Sequence, residues 1–153
     1  MASGRVFSGR FTVTAVLLAG GVGMAAQPVS ACVRADFERV VEEAASALRE
    51  LNLANKPLFQ GRLGELKQKR GWNHDQFIAQ AAPLVQDERI AVFDSQASAL
   101  LERLQSGGQE GAQAREPDCA LLSELRVALK SLIDVQKAKW SYMLGRVEAE
   151  LAK

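Results

Sequence analysis

Aromatic residues make up only 6% of this 153-residue chain, histidine occurs once, and cysteine occurs twice. One histidine, His74, and two cysteines far apart in sequence cannot supply the usual His/Cys ligand set of a zinc site. No cofactor-binding pattern stands in its place. Runs of β-branched and aromatic residues are also scarce, which excludes a strand-rich fold. An excess of charge of either sign is missing too, with 19 basic against 18 acidic residues. Nucleic acid and anionic membranes therefore have no electrostatic reason to be the partner.

Proline is rare, with four residues, and Ala, Leu, Glu, Arg and Gln are abundant. Intrinsic preference is helical almost throughout. The length suits one domain with a modest core.

The N-terminus has the form of an export signal. Arg5 and Arg10 precede an uncharged block, FTVTAVLLAGGVGMAA, and no acid appears before Asp36. That block is shorter than the roughly 20 apolar residues a membrane span requires. Small residues leave cleavage open anywhere between positions 25 and 31. Residues 1–31 thus read as a signal peptide and 32–153 as the mature domain, periplasmic or secreted, without a stable transmembrane span.

The stretch QPVSAC, ending at Cys32, admits three readings. Val29-Ser30-Ala31-Cys32 looks like the lipobox of bacterial lipoproteins, which implies an acylated cysteine and a lipid-anchored envelope protein with a structural role. Gln27 and Pro28 interrupt the pattern, and no flexible tether follows. Free thiols are a second reading. A disulfide from Cys32 to Cys119 is the third, suited to an oxidising compartment.

Periodicity divides the rest. Phe37, Val40, Val41, Ala44, Leu48 and Leu51 recur at three- and four-residue steps, predicting an amphipathic helix over about 33–53 that breaks at Asn55 and Pro57. A weaker helix over 58–70 contains Gly61 and Gly64 and ends at Gly71. Its basic cluster Lys67, Lys69 and Arg70 reads as a solvated helix end. Asn73 with Gln76 forms a capping box for a short helix through Ala82. Pro83 is expected to open the next helix, 84–105, with Ile90, Phe93, Ala97, Leu100, Leu101 and Leu104 on its stripe. Residues 106–117 read as a mobile Gly/Gln-rich linker. It lacks the lysine of a phosphate loop and the central serine of a hydrolase elbow.

The last segment, 118–151, is the longest periodic stretch. It is expected to outreach the other helices and to offer Gln136, Trp140, Met143, Leu144 and Val147 as an interaction face, for a protein or peptide partner or for a homo-oligomer. The fold class is an all-α, up-and-down bundle of three long helices plus one or two short ones. In that topology the first and last helices start at the same end, which brings Cys32 to Cys119.

Catalysis has weak candidates. His74 beside Asp75, and the carboxylates Asp87, Glu88 and Asp94, all suit a wet helix surface. Trp140 reads as core and Gln136 as a register-fixing polar residue. The expectation is a non-catalytic exported binding module. An enzyme with an unrecognised site would need these groups to converge in a concave pocket.

Overall fold

A computed structural model describes residues 31–153; the segment read as a signal peptide lies outside them except for Ala31. Four helices follow in order: α1 Arg34–Arg70, α2 His74–Val85, α3 Glu88–Gln113 and α4 Cys119–Leu151. The described residues contain no strand. Three long helices and one short one form an all-α bundle.

Side-chain pairs reveal its direction. Going up α3, Asp87, Asp94 and Arg103 meet Arg146, Lys139 and Glu124 going down α4, so these two helices are antiparallel. Cys32 just before α1, and Arg62 and Arg70 on it, meet Cys119, Glu148 and Glu150 in rising order, so α1 and α4 are parallel. Both parallel helices therefore finish together. Their carbonyl ends carry like partial charge, and α1 answers with cations. Lys69 donates to the Leu151 carbonyl and Arg70 to that of Glu150, at 3.0 Å. The basic cluster joins two helix ends; Lys67 lies over the Phe77 ring of α2, 5.4 Å from its centre.

The apolar residues form two clusters along the bundle. Phe37, Val40 and Ala44 of α1 pack with Ala97 and Leu104 of α3 and with Leu122, Leu125 and Leu132 of α4 near the disulfide end. Phe59, Leu66, Leu84, Ile90, Met143 and Val147 form the second, toward the other end. Between them Leu51, Asn55 and Gln136 are only half-buried.

The expected break at Asn55 and Pro57 does not occur, and α1 runs 37 residues through both. Proline there removes one hydrogen bond and crowds the carbonyl four residues back, a cost of about 3 kcal/mol. Buried side chains on either side, Ala44 before and Phe59 after, hold the two halves in clusters that both include residues of α3 and α4. Packing overrides the local breaker. Where α1 does end, Gly71 adopts a left-handed φ of 62°, and the amides of Gly71 and Trp72 donate to the carbonyls of Gln68 and Lys67, both at 3.1 Å. This double closure is a Schellman motif, with Trp72 packed on the cluster that holds Leu66.

Two other boundaries move. The box of Asn73 and Gln76 opens α2 as expected, with mutual bonds of 2.9 and 3.0 Å. Pro83, however, lies inside α2, and Asp87 opens α3 by accepting the Ile90 amide at 2.7 Å. A carboxylate cap outcompetes proline as the start signal because it satisfies an otherwise unpaired donor.

The larger correction concerns 106–117. That segment is helical as far as Gln113, and its glycines are buried. A side chain at Gly111 would run into the Phe37 ring, at Gly108 into Val41, and at Gly107 to within 2.7 Å of Leu125. These glycines let α3 approach α1 and α4 closely. Only the short turn from Ala114 to Asp118 connects α3 with α4, and Arg34 clamps it, donating to the carbonyls of Ala114 and Arg115 at 2.7 and 3.2 Å.

Candidate functional site

Cys32 and Cys119 are joined in a disulfide, with Cα atoms 5.5 Å apart. Cys119 is the first residue of α4, where Asp118 caps the helix by accepting the Ala120 and Leu121 amides. The Cys32 amide donates to the Cys119 sulfur at 3.2 Å. A sulfur bonded in this way can neither remain a free thiol nor carry a lipid.

The face expected to meet a partner is largely occupied by the chain itself. Met143 and Val147 are buried in the second cluster, and Leu144 packs against its edge. Trp140 sets its ring edge to Phe59, centroids 6.0 Å apart, and is core-facing as read from the sequence. Gln136 is half-buried between the clusters. Nor is α4 the longest helix: it has 33 residues against 37 in α1. The premise of an overhanging last helix fails because α1 continues through Pro57.

The catalytic candidates do not converge. His74 and Asp75 are exposed in the first turn of α2. Asp94 pairs with Lys139, and Glu88 is exposed. Asp87 alone belongs to a polar cluster. One of its oxygens caps α3; the other accepts the Tyr142 hydroxyl at 2.7 Å and the Arg146 guanidinium. The Ile90 amide and the Tyr142 hydroxyl hold the Asp87 carboxyl below its ordinary pKa, while that hydrogen bond, with some burial, raises the phenol above its own. Arg89 lies over the Tyr142 ring, 4.6 Å from its centre. Every member of this group has a structural partner, and together they fasten the α2–α3 corner to α4. Sequence reasoning missed it, since Asp87 and Tyr142 stand 55 positions apart with no local pattern linking them.

One surface feature has no such partner among the described residues. Between α1 and α4 runs a shallow groove of about 380 Å³, lined by Ala47, Glu50, Leu51, Ala54, Ile133 and Lys137. Leu58, one turn beyond Ala54 on the same side of α1, is 52% exposed. Residues 47, 51, 54 and 58 step by four, three and four, so they form one stripe beside the buried one. Its apolar members are small or partly covered, which is why the pattern reads from sequence as an outlying part of the core stripe.

No family model, curated protein or solved structure matches the chain.

Proposed function

We propose that this chain is an exported, non-catalytic interaction module that engages a protein or peptide through the apolar groove between α1 and α4. The observation that carries the reading is the groove itself, where Leu51, Ala54, Leu58 and Ile133 offer apolar surface that no other part of the described chain covers. Export is supported by the charged-then-apolar N-terminal sequence together with a disulfide, a bond that persists in oxidising compartments. No helix among the described residues is long and apolar enough to cross a membrane. The non-catalytic part is supported by the state of the candidates: Asp87 and Asp94 join helices, and His74, Asp75 and Glu88 are exposed.

The test is a photo-reactive residue placed at Ala54 in the intact, exported chain, with a matching probe at exposed Ala138 as control. Adducts expected at position 54 and not at 138 support the reading. A chain that gives none at 54, or equal labelling at both, contradicts it.

A further inference from the structure

The charges along the groove identify its occupant. On the α1 wall the outer residue is Glu50, and Glu43 lies two turns before it on the same side of the helix. On the α4 wall the outer residue is Lys137, with Lys130 two turns before it. The α1 wall is therefore edged with acids, and the α4 wall with two lysines that flank Asp134. Glu43, Glu50 and Lys137 have no ion-pair partner among the described residues, while Lys130 pairs with Asp134 of its own helix. The contacts of Cys32 with Cys119 and of Arg62 with Glu148 set the register of the two parallel helices. That register puts Glu50 level with Lys137, and Glu43 level with Lys130.

We infer that the groove is filled by a second copy of this chain, in a side-by-side dimer whose two-fold axis runs along the bundle. This geometry lays α1 of one protomer on α4 of its partner, in the same direction, and does so twice. Because the walls are level, the unpaired Glu50 faces the unpaired Lys137 of the partner, and Glu43 faces the partner's Lys130, which also holds Asp134. An isologous interface requires such self-complementarity. Ala47, at the start of the stripe that continues through Leu51, Ala54 and Leu58, then lies about level with Ile133 of the partner, and the small alanines permit close approach. By contrast, the groove between α1 and α3 is lined by Glu38 and Glu42 with Gln105 and Gln109 and has no cation, so two copies meeting there would gain no ion pair. The inference rests on the reading of the α1–α4 groove as a docking face and names what docks.

Sedimentation equilibrium of the exported, disulfide-bonded chain tests it. The wild type should dimerise, less tightly at high salt. Glu50→Lys and Lys137→Glu should each weaken the dimer by about tenfold or more, and the two together in one chain should restore it to within about threefold of wild type. Ala54→Glu, at an exposed position, should leave the helical content intact and the chain monomeric. A wild type that stays monomeric up to about 1 mM overturns the dimer, as does a dimer that the charge reversals leave unchanged. A monomer that still forms adducts with another protein from Ala54 overturns the dimer alone. A monomer without adducts overturns the docking face as well.

Discussion

Gly111 of α3 lies against the Phe37 ring of α1 so closely that a methyl group in its place would overlap the ring. Phe37 is fully buried, next to Leu104 and Leu125, and cannot move aside without opening the first cluster. Gly111→Ala should therefore destabilise the fold by about 1–3 kcal/mol through overpacking. Gly61 is the control. It is equally helical, but nothing lies within 4 Å of the added carbon, so Gly61→Ala should stabilise by roughly 0.5–1 kcal/mol. Urea unfolding of both variants checks the pair; equal effects would show that helix preference, and not close packing, governs position 111.

Pro57 interrupts the hydrogen bonding of α1 without ending the helix. Pro57→Ala should return the missing donor and relieve the crowding, less a small loss from a freer unfolded chain, for a net gain of about 2 kcal/mol. A loss of stability on thermal unfolding would mean that Pro57 holds a shape the bundle needs.

The disulfide closes the chain across 87 positions, so its contribution should be large. In the loop-entropy account, replacing Cys32 and Cys119 by serine should lower the unfolding free energy by about 4 kcal/mol. The turn at Ala114 to Asp118 should also lose hydrogen-exchange protection, since Arg34 reaches it from the segment that Cys32 anchors. An unchanged urea midpoint after reduction would remove the disulfide from any account of stability.

Asp87 and Tyr142 make stability depend on pH at both extremes. The Asp87 pKa is lowered in the folded chain, so its contribution is present at neutral pH and is lost as pH falls through that lowered value. The Tyr142 pKa is raised, so its contribution is complete below the ordinary tyrosine value of 10.0 and is lost as pH rises through the folded value. Tyr142→Phe should lower stability at pH 7 and flatten the alkaline side of the stability curve. An alkaline side as steep as in the wild type would place the titrating group elsewhere.

Features set within a turn or two of helix were legible in the sequence. The box of Asn73 and Gln76 and the stripe that holds Phe37, Val40 and Ala44 depend on residues three or four positions apart. Gly107, Gly108 and Gly111 were misread as a linker, although they extend the stripe of Ala97 and Leu104 at the same steps. Composition suggested flexibility there; what glycine supplies is room, visible only once Phe37, Val41 and Leu125 are in place. The candidate site suffered a related loss. Periodicity identified a face containing Met143 and Val147 but not the surface that covers it, and α1, α2 and α3 proved to do so.

Residue order alone therefore determined that the chain is helical, where most apolar faces lie, and which two cysteines can meet, because helix preference, capping and periodicity act over a few neighbours. Tertiary structure decided that α1 passes through Pro57, that α3 continues over its glycines, and that the described residues leave the α1–α4 groove rather than the α4 stripe uncovered. Those outcomes depend on how side chains from distant segments fill shared space, and that balance exists only after the helices have packed.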